Sequence, residues 1–352
     1  MNTRVTYYPW STEVLSERLA AHDANRLATL DLDFTAQCSR ASCVYCDSRP
    51  GVGRRHSAEL DMELTEKLLA DAKGLGVTWV YACGLGEPLE DMRFRQLVEL
   101  STRLGLRLSL FTNAMLIDRG LAKWLHEHNV CLIVKLDTFQ ESTFDKILGR
   151  KGGARKIYRA IENLLEVGYA QQTPTGLTDL AFSIVPTKLN VDDIGAVVSF
   201  AKEHNIFPSV GQLECAGRAK ETKCYGELSL GSDDLLALKQ AIEKILWQGY
   251  TRPICPTIIT GVHIDNTGDC VVDTDTGLNC KWFMLREPRV TILGSLKTET
   301  IASLWEKVTQ YRRRCFEFNE QRISECEKTE YIFGGCGGSP KEVVRLARTH
   351  LR

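Results

Sequence analysis

The sequence predicts an α/β chain on a mainly parallel sheet, followed by a smaller cysteine-bearing region. Three observations carry this. Short apolar runs alternate with amphipathic stretches about six times between residues 28 and 213. Polar or Gly-rich segments follow the apolar runs. After residue 250 the alternation gives way to short β-like runs, turn residues and Cys. Strand-then-helix repetition is the pattern of parallel strands joined by covering helices.

Each element has its own signal. Strands are expected at Ala28–Phe34, Val77–Cys83, Arg107–Thr112, Cys131–Asp137, Leu180–Val185 and Ile206–Leu213, all short apolar runs. Between them, apolar residues at helical spacing predict helices near Leu60–Lys73, Asp91–Leu104, Asp118–His128, Ala154–Val167 and Val191–His204. Six units fall short of a closed eightfold barrel, so a partial barrel and a doubly wound sheet both fit. Either fold collects ligands at the C-terminal ends of its strands. There the sequence places Cys38–Cys46, Gly84–Pro88, Thr112–Ala114 and Lys135–Asp137. A bridging helix is expected within 226–250, and another near Glu299–Arg313.

Composition removes several classes. Lys and Arg total 44 against 45 Asp and Glu, so no global basic field gathers nucleic acid. No apolar run reaches the ~18 residues of a membrane span, and no secretory signal opens the chain. A cytoplasmic protein is expected. The 13 Cys are odd in number and fall into two groupings, three within Cys38–Cys46 and most of the rest beyond residue 210. Reduced, clustered thiols point to metal ligation rather than to a disulfide framework.

Cys38, Cys43 and Cys46 place three soft ligands on one short loop, which suits zinc or an iron–sulfur cluster. A structural zinc would need a fourth ligand, such as Cys83 or a distant His. On that reading the chain is a zinc-binding interaction module. Three Cys on a [4Fe–4S] cube instead leave one iron open to a cofactor or substrate.

At these residues the chain resembles the radical S-adenosylmethionine (radical SAM) superfamily, whose signature is CxxxCxxC with an aromatic before the last Cys. Tyr45 holds that aromatic position. Leu85-Gly86-Glu87-Pro88-Leu89 stands where the family carries Gly-Gly-Glu-Pro, and Thr112-Asn113 resembles its strand-3 ending. Pro186–Asn190, ahead of Asp192-Asp193, resembles the segment after strand 5. There are two departures: four residues separate Cys38 from Cys43, and Leu85 replaces a usual Gly. The resemblance implies a partial (β/α)6 barrel over 28–225, behind an N-terminal lead of 1–27. It implies a [4Fe–4S] cluster on Cys38, Cys43 and Cys46 and S-adenosylmethionine (SAM) at the open iron. Tyr45 would lie near the adenine, and the Gly86-Glu87-Pro88 backbone at the SAM amino group. Reductive cleavage of SAM would then yield a 5′-deoxyadenosyl radical that takes hydrogen from a C–H bond. Reduced flavodoxin or ferredoxin is the implied electron donor. Lys135 and Asp137, at the end of strand 4, are either a paired strand end or contacts for SAM or substrate.

Region 251–352 resembles the SPASM or Twitch extensions of that superfamily. The resemblance is carried by Leu293–Ile301 leading to Trp305 and by the ending Gly334-Gly335-Cys336-Gly337. Those extensions bind auxiliary [4Fe–4S] clusters. Two Cys of the full SPASM pattern are missing, so one auxiliary cluster is expected. Its ligands would be Cys255, Cys270, Cys280 and Cys336, with Cys326 as the alternative ligand. Several of these could equally be small buried core residues. Cys215 and Cys224 are candidate hydrogen donors to a product radical, weighed against a structural role. Cys83 and Cys131 read as core, His263 as structural, and Arg312–Arg314 as a solvated helix face.

Two substrates remain open. One is a small polar natural-product intermediate, such as an aminocyclitol or sugar, oxidised or epimerised. The alternative is a ribosomal peptide, cross-linked or oxidised by a SPASM-type maturase. The short lead leaves little room for a leader-binding domain and tilts the sequence towards the small molecule.

Overall fold

The computed structural model describes residues 4–46, 59–82, 86–171, 175–211, 213, 217–250, 260–273, 290–326 and 349–350. The chain opens with β1 (Thr6–Tyr7), a 3₁₀ turn (Tyr8–Trp10) and α1 (Thr12–Asp23). The α/β alternation then runs β2 (Thr29–Leu32), α2 (Met62–Gly74), β3 (Trp79–Ala82), α3 (Phe94–Arg103), β4 (Arg107–Thr112) and α4 (Arg119–Glu127). It continues with β5 (Cys131–Lys135), α5 (Glu141–Leu148), α6 (Gly153–Glu166), β6 (Leu177–Thr178), β7 (Leu180–Ile184), α7 (Ile194–Glu203) and β8 (Phe207–Val210). Two short helices, α8 (Gly217–Glu221) and α9 (Tyr225–Leu228), lead to α10 (Ser232–Ile245). The last elements are β9 (Gly261–Ile264), β10 (Asp269–Asp273), β11 (Val290–Ser295) and α11 (Ile301–Cys326).

The main sheet has nine strands in the order β11-β10-β9-β2-β3-β4-β5-β7-β8. Six of them, β2 to β5 with β7 and β8, pair in parallel and form the partial (β/α)6 barrel expected from the sequence. β9 adds to β2 in parallel, and β10 and β11 follow antiparallel. The C-terminal hairpin therefore extends the barrel's own sheet.

Side chains alternate across the strands. One face is apolar: Leu30, Leu32, Val80, Leu108, Leu110, Leu132, Val134, Phe182 and Ile184 are all buried. The other face carries Thr29, Asp31, Asp33, Tyr81 and Ser109, also buried. The N-terminal segment covers this polar face. Tyr7 Oη and Ser109 Oγ share a hydrogen bond of 2.9 Å, and Arg18 donates to Tyr81 Oη at 2.7 Å. Trp10 meets the Phe207 ring edge-on at 5.8 Å. Asp side chains cap α2 and α4, where Asp61 and Asp118 accept from Leu64 and Leu121.

Besides this continuous sheet, three features depart from the sequence reading. α1 escapes it because its buried face, Val14, Arg18, Ala21 and His22, is half polar. α5 is a separate eight-residue helix anchored by Phe144, Ile147 and Leu148. Arg312 is not on a solvated face but buried, while Arg313 and Arg314 are exposed. Among the described residues, no helix is long and apolar enough to cross a membrane.

Candidate active site

The three-cysteine loop leaves β2 and is held from several sides. Ser42 and Val44 donate their N–H groups to the carbonyls of Leu148 and Ile147 at 2.8 and 3.0 Å, docking the loop on the end of α5. Gly149 makes that approach possible. Its φ is +61°, and a Cβ there would stand 2.5 Å from the Ser42 carbonyl. At the loop's entrance, Glu59 accepts from Thr35 Oγ1 at 2.7 Å and Ala36 N at 3.1 Å. Glu90 accepts from Ser39 N and Arg40 N. At the exit, Arg218 N donates to the Cys46 carbonyl at 2.8 Å, and the Arg218 guanidinium reaches Ser42 Oγ.

The segment after β3 locks onto this loop. Gly86 has φ +70°, and a Cβ on it would fall 2.2 Å from the Thr35 carbonyl, so no side chain is tolerated. Glu87 N donates to the Gln37 carbonyl at 2.6 Å. The buried Glu87 carboxylate accepts from Thr112 Oγ1 and Asn113 N, both at 2.6 Å. Burial pushes its pKa up to about 7, against the pull of those donors. Asn113 Nδ2 lies 4.0 Å from Cys38 Sγ. Three strand ends are thereby tied into one rim.

Tyr45 joins that rim to β5. It donates to Asp137 Oδ2 at 2.5 Å, and Lys135 Nζ donates to Tyr45 Oη at 2.5 Å. Lys135 also pairs with Asp137 at 2.7 Å and lies 4.4 Å from the centre of the Tyr45 ring. Burial works to lower the Lys135 pKa, but Asp137 and the Cys43 sulfur outweigh it and raise it. Asn190 donates to the Asp137 carbonyl at 2.8 Å and the Val185 carbonyl at 3.1 Å, bracing the tips of β5 and β7.

The thiols suit a positively charged soft acceptor. Burial, helped by Glu87, pushes Cys38 up to about 12, and burial pushes Cys43 up to about 11. Buried thiols of this kind become thiolates when metal supplies the compensating charge. Among the described residues, no three His, Cys, Asp or Glu side chains are gathered as ligands of a single ion. Three sulfurs on one loop are soft donors of the kind that hold an iron–sulfur cluster.

Cys224 lies against the same loop. Its thiol donates to the Val44 carbonyl at 3.4 Å and accepts from Thr222 Oγ1 at 3.1 Å. Cys215, Cys255, Cys280, Cys336 and Cys83 lie outside the described residues, and Cys326 is described only through its backbone at the end of α11. Cys270 is buried on β10, opposite Ile264 of β9 and Gly294 of β11. Burial pushes its thiol up to about 12. Cys131 is core, with its thiol on Asp179 at 3.0 Å, and His263 is buried beside Asp33 at 3.2 Å. Glu59, Glu90, Gly149 and Arg218 have no place in the sequence reading of the site, while Asn190 enters it only as the end of the Pro186–Asn190 segment. Gly149 is the left-handed C-cap of α5, a helix end that a Gly can signal once the helix is known.

Comparisons with known proteins agree with this geometry. The family model of the Radical SAM superfamily matches residues 32–198. Mycofactocin maturase MftC of Mycolicibacterium smegmatis is 27% identical over 193 residues, which is 54% of this chain and 46% of that protein. The chain spans about half the length of the curated relatives it matches. Streptococcus suis SuiB bound to precursor peptide SuiA is 16% identical with a TM-score of 0.53, covering 83% of this chain and 68% of that one. anSMEcpe with bound AdoMet and Cp18Cys peptide is 18% identical with a TM-score of 0.58, covering 92% and 97%. At such identities the structural likeness is one of fold.

Proposed function

From the match of residues 32–198 to the Radical SAM superfamily we propose that the chain is a radical SAM enzyme that oxidises or cross-links a peptide. The observation that carries the peptide reading is the shared fold with SuiB and anSMEcpe, both recorded with bound peptides. That support outweighs the tilt of the sequence towards an aminocyclitol or sugar, which rests only on the short N-terminal lead.

In this proposal Cys38, Cys43 and Cys46 hold three irons of a [4Fe–4S] cluster. When bound, the cluster and SAM supply a radical able to take hydrogen from an unactivated C–H bond. The protein orients the reactants. Gly86 lets the backbone after β3 pass close to the cysteine loop, and Glu87 uses both carboxylate oxygens to fix Thr112 and Asn113. Its part is to hold the rim, leaving backbone groups to meet the SAM amino group. Tyr45, its hydroxyl held by Lys135 and Asp137, would lie beside the adenine when SAM is bound. Cys270, with Cys255, Cys280 and Cys336, would hold one auxiliary cluster, Cys326 being the substitute ligand. Cys224, whose thiol lies against the Val44 carbonyl of the loop, would be a hydrogen donor to a product radical, and Cys215 is the second candidate. A reduced flavodoxin or ferredoxin would deliver the electron.

The test is anaerobic. The reconstituted protein is given SAM and dithionite, alone, with short synthetic peptides, or with aminocyclitols and sugars. 5′-Deoxyadenosine is measured by mass spectrometry beside Cys43→Ala. The proposal expects peptide-dependent product, a peptide lighter by two hydrogens, and nothing from the variant. Product stimulated only by the small polyols would replace the peptide reading. Stoichiometric zinc without a cluster would end the radical one.

A further inference from the structure

Four residues separate Cys38 from Cys43, one more than the CxxxC spacing the loop otherwise resembles. An added loop residue costs little closure entropy, but it leaves the first thiol free to wander unless something fixes the chain beside it. Glu90, at the end of the 3₁₀ turn Pro88–Glu90, does so. Its carboxylate receives two consecutive backbone donors, Ser39 N at 2.8 Å on Oε2 and Arg40 N at 3.1 Å on Oε1. The Glu90 side chain is only 7% exposed, and Arg40 Nε stands 4.0 Å from Oε1. Successive N–H groups closing on an anion form a concave nest, and bonds to an ionised acceptor are the stronger kind. The second half of the loop has separate anchors, Ser42 and Val44 on α5 and Cys46 N on the Cys43 carbonyl. Glu90 holds the two backbone N–H groups immediately after Cys38, and Arg150 Nη1 reaches the Ser39 carbonyl at 3.5 Å.

We propose that Glu90 is a positioning residue for the cluster. It gathers the extra residue into a turn and sets Cys38 within common reach of Cys43 and Cys46. This rests on the reading that these three Cys hold a cluster.

The experiment compares wild type, Glu90→Ala, Glu90→Gln, removal of Ala41 alone, and Glu90→Ala with Ala41 removed. Removing Ala41 restores the three-residue spacing. Iron and sulfide per chain are measured after anaerobic reconstitution and a fixed chelator challenge. Electron paramagnetic resonance is recorded on the reduced cluster with and without SAM, and apo-protein melting is followed by circular dichroism. Loss of an outer-sphere support of this kind should lower retained iron about 10-fold in Glu90→Ala, with apo melting unchanged. Glu90→Gln, which keeps one acceptor oxygen, should fall between. Removing Ala41 should restore iron and the SAM-induced spectral change in the Glu90→Ala background. Wild-type iron and spectra in Glu90→Ala would overturn the proposal, as would a loss that shortening the loop does not repair. A wild type that takes up no cluster would overturn the underlying reading instead, and Cys43→Ala would then match it.

Discussion

Ala114 is fully buried at φ +59°, at the rim where β4 ends. That backbone region costs a residue with a Cβ about 1–2 kcal/mol, part of which Gly returns as unfolded-chain entropy. Ala114→Gly should therefore raise the urea midpoint, by about 0.5–1 kcal/mol of stability. An unchanged or lower midpoint would mean that packing of the Ala methyl offsets the strain. Asp31 is a second strained residue. It is 1% exposed, neither carboxylate oxygen has a hydrogen-bond partner among the described residues, and burial pushes it up to about 7. A carboxyl raised in the folded state contributes stability that is complete below its unfolded pKa of about 4 and lost as pH rises through 7. Asp31→Asn should therefore gain on the order of 2–4 kcal/mol at pH 8 relative to pH 5. Parallel denaturation curves at the two pH values would contradict this. The residues legible in the sequence are those whose type has few other uses in that place: three Cys on a short loop, Tyr45 among them, and Gly86. Glu90 and Glu59 are not legible, because a Glu reads as solvated surface until the fold brings backbone donors to it.

Among the elements, the strands can be read nearly in place because buried parallel strands are continuous apolar runs. Arg107–Thr112 matches at both ends. α5 is hidden, since eight residues give barely two turns and too few apolar positions to show a period. Its importance lies in its C-terminal end, where the carbonyls of Ile147 and Leu148 carry the cysteine loop and Gly149 leaves room for it. Gly149→Ala should force the helix end and the loop apart. We expect a loss of about 1–3 kcal/mol of stability, as for other residues held in a sparsely populated conformation, and reduced iron uptake on reconstitution. Full iron uptake would show that the loop does not depend on this docking. The same substitution at Gly152, which also has positive φ but has nothing within 4 Å of its Cβ position, should cost stability without touching iron.

For the whole molecule, the largest departure from the sequence reading is that the C-terminal hairpin belongs to the barrel's sheet. Nothing local in Gly261–Ile264 signals that β9 pairs in parallel with β2, because the pairing depends on chain far away. Stopping the chain after Tyr250 should bare the β2 edge and produce high-molecular-weight material in size-exclusion chromatography. A well-behaved truncated species would show that the six-stranded barrel stands alone. The β2–β9 pairing also sets a timetable. Asp33, five residues before Cys38, meets His263 across 230 residues of chain. At about 5–20 residues per second of synthesis, that partner emerges on the order of 10–50 s later. Each newborn copy therefore presents its cysteine loop on a strand whose β9 side stays open until His263 has emerged.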